Sequence, residues 1–386
     1  GDLTAGLSVI TLVAGAEQYY QTGFSVGFWW AITTPVGIFL ALSGYCLYRW
    51  RETRCLSMGQ FLELRYGSKF FRIFCAVLRT VAEMITNAIG PAIATNFFIY
   101  YLGLPHRITI MGVNLPCYVI IVTLCLCLAL MFIWPSGRIS LLITDSIQGL
   151  LSYPIFVIIV GYIILNFSWT NDIAPVMWNR VPGQSFMNPY DISQLRDFNL
   201  FALIVTLLAS ILNRASWIGN DTSSAGRTPH EQKMAGVLGT WKNGFAYMMI
   251  LLLAIVVIVF MTSPHFMHSG NKFKVSSTEI RQELSAKILD NVIHHIPETY
   301  PEEAWEQPLS QQKNPDTPYF NAVRDTLGDT PDARYQFQKY RSLYQQMMMP
   351  SVVSKIFPVG MLGLFCLLMV MLLISTDDSR IFNASS

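Results

Sequence analysis

Long runs of apolar residues, separated by polar segments, dominate the pattern of this chain. Near-continuous apolar runs cover residues 115–134, 150–167, 245–263 and 356–374. Each run is close to the about 20 residues that an α-helix needs to cross a bilayer. The pattern therefore predicts an all-α polytopic membrane protein. The predicted membrane spans are 3–20, 24–48, 70–101, 115–134, 139–167, 199–218, 234–263 and 355–380.

The polar segments between the spans predict an orientation. The loop 49–72 is rich in Arg and Lys, which is typical of cytoplasmic loops. The loops 102–114, 168–198 and 264–354 then lie on the outer side. The last of them is long and of mixed charge, and it predicts an outer cap. The helices predicted within this cap are 276–294, 318–327 and 332–348.

Composition supports the membrane class and excludes others. Hydrophobic residues make up 52% of the 386 residues and charged residues 13%, which is about half the charged share of an average soluble domain. The formal net charge is +2, and no basic cluster with interleaved aromatic residues is present, so no nucleic-acid partner is predicted. The sequence contains no phosphate-binding glycine loop of the P-loop type and no HExxH, and no enzymatic activity is predicted.

Three of the predicted spans carry polar residues that suit a cation site. The first span is apolar up to Val13 and then holds Ala14-Gly15-Ala16. These small residues predict a helix break within the membrane, which would release backbone carbonyls. The fifth span opens with ISLLITDSIQG (139–149), and the last span ends in STDDS (375–379). Polar groups inside a membrane segment indicate a functional site, and several oxygen atoms are the environment that sodium prefers.

The same polar residues have plainer interpretations. Ser375 and Thr376 can each donate a hydrogen bond to a carbonyl of their own helix. Asp377 is predicted at the cytoplasmic mouth as a solvated charge, while Asp378 is either a cation ligand or a second charge at that mouth. Glu17 either lines a substrate pocket or partners a nearby tyrosine hydroxyl.

Short motifs in a fixed order resemble those of the sodium/solute symporter family. They are AGAEQ (14–18), GQFLELRYG (59–67), ITDSIQG (143–149), and PVGMLGLF with ISTDDSRIFNASS (358–365 and 374–386). The family includes the sodium-coupled sugar, proline and sialic acid transporters. The resemblance implies a leucine-transporter-type bundle with two inverted repeats of five helices. On this basis the chain holds core helices one to eight and lacks an N-terminal helix and the last two core helices.

The resemblance also implies two sets of cation ligands. The common sodium site uses backbone carbonyls at the break of the first core helix and hydroxyls on the eighth. Its implied residues are Thr11, Ala14, Leu372, Ser375 and Thr376. A second cation site of some members maps to Asp145, Ser375, Asp378 and Ser379. Those members carry a hydroxyl where this chain has Asp378. The extra carboxylate would tighten sodium binding, bind a proton instead or pair with Arg380.

The substrate implied by the resemblance is a small polar organic solute. In the sugar-carrying members a glutamine at the first-helix break contacts the sugar, and a lysine begins the seventh helix. Gln18 and Lys242 match these two residues. The chain departs from the sugar carriers near residues 33–34 and 211–212, which argues against a sugar. The candidate substrate-binding residues are Glu17, Gln18, Tyr19, Thr33, Thr34, Asn213 and Lys242.

The chain is expected to divide at its long outer loops. Residues 1–167 would form the first repeat, 168–263 core helices six and seven with the preceding outer loop, 264–354 the extracellular or periplasmic cap, and 355–386 core helix eight. The predicted function is a symporter of the cell (inner or plasma) membrane that uses Na+ as coupling ion and imports the solute by alternating access. Two alternatives stay open. One is a sensor or scaffold whose cap binds a protein partner, and the other is a proton-coupled carrier that uses Asp378.

Overall fold

A computed structural model describes residues 8–385, except residues 56, 111, 135–137, 179–181, 193–199, 217–225, 268–270 and 293–315. The described elements are predominantly helices. In chain order they are α1 (Val9–Ala31), α2 (Thr33–Ser43), α3 (Leu47–Glu52), α4 (Met58–Tyr66), α5 (Lys69–Tyr101), α6 (Cys117–Ile133), α7 (Arg138–Asn166), α8 (Ala174–Trp178), α9 (Leu200–Ser216), α10 (Pro229–Thr262), α11 (Ser277–Val292), α12 (Thr317–Leu327), α13 (Pro331–Ile356) and α14 (Val359–Ser385). A π-helix (Trp169–Ile173) precedes α8, and a 3-10 helix (Pro264–Phe266) follows α10.

Within the described part of the chain, four helical segments are long and apolar enough to cross a bilayer. They are Gly27–Glu52, Lys69–Tyr101, Ile143–Asn166 and Val359–Asp378. Shorter apolar helical segments cover Cys117–Phe132 and Tyr247–Thr262. Large apolar side chains such as Phe70, Ile73 and Val77 point outward from α5, which suits a helix that faces lipid.

Most of the predicted helices are confirmed, with ends shifted by a few residues. Helices α5, α6, α7, α9, α10 and α14 occupy the last six predicted spans. The first two spans are divided differently, because α1 continues to Ala31 and α2 and α3 follow it. In the cap, α11, α12 and α13 confirm the three predicted helices, although α13 continues through Pro350 to Ile356.

A short β-hairpin occupies a loop for which no strand was predicted. The strands β1 (Arg107–Ile110) and β2 (Val113–Pro116) pair antiparallel between α5 and α6. Gly112 at the turn has a φ of 82°, a backbone conformation that glycine adopts without steric cost. The hairpin leads directly into α6.

The core forms where the outer cap meets the membrane-type helices. Helix α1 packs against α5, α10 and α13, and α14 packs against α5, α6 and α7. Every residue of α10 from Leu253 to Met261 is buried. A helix segment that is buried and apolar on all sides must be surrounded by other helices, so α10 lies at the centre of this packing.

The break predicted at Ala14-Gly15-Ala16 is wrong. Helix α1 runs through these residues, and its non-helical position is Gly23, with φ 57° and ψ −143°. Alanine has the highest helix propensity, so a single glycine between two alanines does not break a helix. Gly15 instead allows close packing, because a Cβ there would lie 2.9 Å from Cγ2 of Ile250 on α10.

Gly23 is the residue that bends α1. A Cβ at this position would lie 2.6 Å from Cβ of Phe186 in the outer loop before α9. The N–H of Ser25 donates to the carbonyl of Phe186 at 3.0 Å, and the Ser25 hydroxyl donates to the carbonyl of Ser185. The loop before α9 therefore supplies an acceptor for a backbone N–H of the bend and a second acceptor for the Ser25 hydroxyl.

Candidate functional site

The polar end of α14 lies inside the protein. Ser375, Thr376, Asp377 and Asp378 are all buried, although they follow one another directly along the helix. Successive residues of an α-helix point about 100° apart, so four consecutive buried residues require neighbours around the whole circumference. The packing of α14 against α5, α6 and α7 provides these neighbours.

One hydrogen bond joins the residues of α7 and α14 that belong to the predicted second cation site. The Ser375 hydroxyl donates to Oδ1 of Asp145 on α7 at 2.6 Å. The exposed fraction is 1% for Asp145 and 0% for Ser375. The contact therefore lies between two membrane-type helices and away from water.

Further polar groups extend this contact along α7. Gln148 and Ser152 are buried on the same helix face as Asp145, at the spacing of one and two helical turns. The Ser152 hydroxyl donates to the carbonyl of Gln148 at 2.7 Å. Oε1 of Gln148 has no hydrogen-bond partner among the described residues. We call Asp145, Gln148, Ser375, Thr376 and Asp378 the polar cluster.

Thr376 and Leu372, two ligands of the predicted sodium site, are in contact with each other. The Thr376 hydroxyl donates to the carbonyl of Leu372 at 2.8 Å, which is the back-bonding that serine and threonine favour in membrane helices. A hydroxyl that donates its hydrogen still presents oxygen lone pairs. Both oxygens therefore lie next to each other where a cation could contact them.

The prediction that Asp377 is a solvated charge at the cytoplasmic mouth is wrong. Asp377 is 1% exposed, and neither of its carboxylate oxygens has a hydrogen-bond partner within the described part of the chain. It faces Gly90 of α5, where a Cβ would lie 3.6 Å from Oδ1 of Asp377, 3.4 Å from Ile10 and 3.8 Å from Arg380. The sequence pattern suggested that α14 emerges into water here, whereas α5 covers it.

Of the predicted ligands on α1, Thr11 contacts a residue directly before its own helix and Ala14 is exposed. Oγ1 of Thr11 lies 2.9 Å from the Ser8 hydroxyl, which also accepts the N–H of Thr11 at 3.1 Å. The side chain of Ala14 is exposed. Since α1 continues through Ala14, the structure lacks the helix break on which these two assignments depend. Ile10 and Asp377 both approach Gly90 of α5, so the start of α1 does lie near the end of α14.

The candidate substrate residues are distributed over four helices. Glu17, Gln18 and Tyr19 are half-buried on α1, and Thr22 donates its hydroxyl to the carbonyl of Gln18 at 2.8 Å. On α2, Thr33 is half-buried and Thr34 is exposed. The side chains of Asn213 on α9, Lys242 on α10 and the cation candidate Ser379 on α14 lie outside the described residues.

A cleft of about 430 Å³ lies elsewhere, near the C-terminal end of α5. It is lined by residues of α5, the β-hairpin, the start of α6 and α13. These are Asn96, Ile99, His106, Pro116, Tyr118, Lys339, Ser342 and Leu343. Of the candidate substrate residues whose side chains the structure describes, none is among these lining residues.

A buried ionic network, which the sequence interpretation missed, joins the cap to α1. Nε of Arg281 on α11 donates to Oδ1 of Asp316 at 3.1 Å, and its Nη2 donates to the carbonyl of Met261 at 2.7 Å. The hydroxyl of Tyr20 on α1 donates to Oδ2 of Asp316 at 3.1 Å, and that of Tyr344 on α13 to Oδ1 at 3.3 Å. We call Tyr20, Arg281, Asp316 and Tyr344 the cap network.

Electrostatics hold Arg281 in its charged form within this network. Burial is the largest single influence and opposes the charge of the guanidinium. The attraction of Asp316, the smaller contributions of Tyr20 and Tyr344 and the hydrogen bond to Asp316 together outweigh it and raise the pKa of Arg281 above its ordinary value. The side chains of Arg281 and Asp316 are 0% and 3% exposed. The sequence did contain a pattern that could have indicated the buried position of Arg281. Ser277, Arg281 and Ser285 are spaced four residues apart beside the apolar face of α11. Charge on the buried side of a helix indicates a buried partner.

Comparisons of the chain with protein-family models, with curated proteins and with solved structures found no match. The structure shows an all-α protein of membrane type, with four described helical segments that can span a bilayer. Its candidate functional site is the polar cluster, in which α7 and α14 bring Asp145 and Ser375 into direct contact.

Proposed function

We propose that this chain forms the core of a sodium-coupled symporter of the cell membrane, which imports a small polar organic solute by alternating access. The observation that carries the proposal is the buried hydrogen bond from Ser375 to Asp145. We further propose a leucine-transporter-type inverted-repeat fold, on the strength of the motifs AGAEQ, ITDSIQG and STDDS in their order.

Sodium suits the polar cluster because the cluster offers oxygen atoms of several kinds. Asp145 and Asp378 contribute carboxylates, Ser375 and Thr376 contribute hydroxyls, and Leu372 contributes a carbonyl. Carboxylates buried in a membrane segment are expensive unless a partner compensates their charge. A monovalent cation bound between α7 and α14 would contact these oxygen atoms and stabilise the carboxylates further.

Coupling then requires that sodium binds one conformation of the protein more tightly than the other. A ligand shifts an equilibrium only by its difference in affinity for the two states. Sodium that joins α7 to α14 would favour the outward-open state and complete the solute pocket. By linkage, the solute would raise the affinity for sodium by the same factor.

The solute pocket is proposed on α1, with Glu17, Gln18 and Tyr19 as the principal residues. These side chains are half-buried, as expected for polar groups that line a cleft. Thr33, Thr34, Asn213 and Lys242 are the further candidates. The departures from the sugar carriers favour a solute other than a sugar.

Thermal unfolding of the purified protein in detergent tests this proposal. Sodium chloride is titrated, with choline chloride holding the ionic strength constant. A ligand that binds only the folded state stabilises it by RT ln(1 + [L]/Kd), about 2.7 kcal/mol at a hundredfold excess over Kd. We expect a sodium-specific rise in Tm for the wild type.

Two serine variants make the test specific for the site. Ser375→Ala removes a hydroxyl of the polar cluster that contacts Asp145 and should abolish the sodium effect. Ser152→Ala is the matched control, because it removes a buried hydroxyl of α7 that bonds its own helix, and it should keep the effect. A folded wild type without a sodium-specific rise in Tm would contradict the proposal.

A further inference from the structure

One carboxylate of the cap receives hydrogen bonds from two different parts of the molecule. Oδ2 of Asp316 accepts the hydroxyl of Tyr20, which belongs to α1, at 3.1 Å. Oδ1 accepts the hydroxyl of Tyr344, which belongs to the cap helix α13, at 3.3 Å. Asp316 itself directly precedes the cap helix α12.

The position of Tyr20 connects this carboxylate to the proposed solute pocket. Tyr20 directly follows Glu17, Gln18 and Tyr19 on α1, and it precedes the bend at Gly23. It is buried, at 8% exposure. A hydrogen bond to this residue therefore fixes α1 between its candidate substrate residues and its bend.

Arg281 of the cap helix α11 anchors this carboxylate and also ties it to α10, the helix that carries Met261. Arg281 donates to Asp316 at 3.1 Å and to the carbonyl of Met261 at 2.7 Å. The ion pair is fully buried, so neither partner can leave without exposing an uncompensated charge to the protein interior. Asp316 is therefore a fixed point with which Tyr20 makes contact.

We infer that Asp316 and Arg281 are positioning residues for the solute pocket, which act through Tyr20. They tie residues 17–20 of α1 to the cap, so that the cap and this part of α1 change conformation together. The cap is then a component of the transport core. The inference rests on the proposed function, but the connection between α1 and the cap can be tested separately.

Two tyrosines provide a matched pair of variants. Tyr20→Phe deletes the hydroxyl that links α1 to Asp316, whereas Tyr344→Phe deletes a hydroxyl that links one part of the cap to another. Both keep the ring and both remove one donor from the same carboxylate. A purely structural role of Asp316 predicts similar effects for the two variants.

Hydrogen exchange measured by mass spectrometry distinguishes the two roles. The wild type and both variants are compared in choline chloride and in sodium chloride, over residues 16–22 of α1 and 277–288 of α11. In choline, Tyr20→Phe should speed exchange in both segments by roughly two- to tenfold, the factor expected when one net hydrogen bond is lost. Tyr344→Phe should speed exchange in the cap segment alone.

Sodium provides the second comparison. In the wild type, sodium should slow exchange in both segments, and Tyr20→Phe should keep the effect in α1 but lose it in the cap. The inference is overturned if Tyr20→Phe leaves the cap segment unchanged in choline, or if both variants affect α1 equally. A wild type without any sodium effect would instead contradict the proposed symport. The comparison in choline would still test whether Tyr20 connects α1 to the cap.

Discussion

The hydroxyl of Ser375 donates to Oδ1 of Asp145 at 2.6 Å, and thereby joins two residues that are 230 positions apart in the chain. Both side chains are buried. A hydrogen bond to an ionised group in such surroundings is stronger than one between neutral groups. The contact fixes α14 against α7 at the point where the polar cluster begins.

Loss of this bond should be measurable in a double-mutant cycle. Ser375→Ala removes the donor, and Asp145→Asn removes the charge of the acceptor while keeping its shape. We expect a coupling free energy of about 1–1.5 kcal/mol, the difference between hydrogen bonds to charged and to neutral acceptors, because the amide oxygen of the variant can still accept the hydroxyl. Reversible unfolding of the four proteins in detergent, without sodium, measures it.

A second cycle serves as the control for this coupling. Ser152→Ala removes the hydroxyl that donates to the carbonyl of Gln148 and should combine additively with Asp145→Asn. Independent substitutions usually add to within about 0.3–0.5 kcal/mol. Additivity of the Ser375→Ala and Asp145→Asn effects within the same limits would show that the contact contributes nothing.

The bend of α1 gives a prediction about backbone conformation. Gly23→Ala should destabilise the protein by about 2–6 kcal/mol, the sum expected from a disfavoured backbone conformation and from overpacking. The φ of 57° is the first cause, and the Cβ position 2.6 Å from Cβ of Phe186 is the second. The shift of the thermal unfolding midpoint measures the effect.

Gly37 is the matched control in α2. A Cβ at Gly37 meets no atom within 4 Å and the residue is helical. Gly37→Ala should therefore be neutral or should stabilise by about 0.5–1 kcal/mol, the helix preference of alanine over glycine. Equal destabilisation by the two substitutions would contradict the role of Gly23 as the bend.

The stability of the folded protein is expected to depend on pH through His106, which directly precedes the β-hairpin. Burial lowers the pKa of His106 below its ordinary value of 6.5, and the backbone hydrogen bond to Lys287 opposes this effect without cancelling it. As the pH falls below 6.5, the unfolded chain therefore takes up a proton at this position before the folded protein does. Stability linked to His106 is present above the ordinary pKa and is lost as the pH falls towards the lower folded value.

His106→Gln should remove this part of the pH dependence. Glutamine keeps an N–H that can donate to the carbonyl of Lys287, which lies 3.1 Å from Nε2 of His106. Thermal unfolding between about pH 7 and pH 5 should show a smaller loss of Tm for this variant than for the wild type. Substitution of the exposed His230 by glutamine is the control, and an unchanged slope for His106→Gln would contradict the prediction.

The sequence by itself determined the helices and the class of the protein. Apolar runs of membrane length at 70–101, 139–167 and 355–380 were enough to predict α5, α7 and α14, because helix formation depends on backbone hydrogen bonds within the segment and on side chains three or four residues apart. The polar residues that interrupt these runs include Asp145 and Ser375, and their position within apolar segments indicated them as candidate site residues.

The tertiary structure decided how each of these residues is used. Gly15 and Gly23 lie in the same helix, and only their neighbours Ile250 and Phe186 show that the first allows close packing and the second bends the chain. Asp377 is buried because α5 covers the end of α14, a fact that no local pattern contains.

The cap network is the feature that could least be predicted from the sequence. Asp316 is 296 positions from Tyr20 and 35 from Arg281, and its local sequence indicates only the start of a helix. Local periodicity describes which residues share a helix face, whereas the free energy of a buried charge depends on the groups that other segments bring to it. The helices of this protein could therefore be predicted from the sequence, while its buried ion pair and its polar contacts depend on how those helices pack.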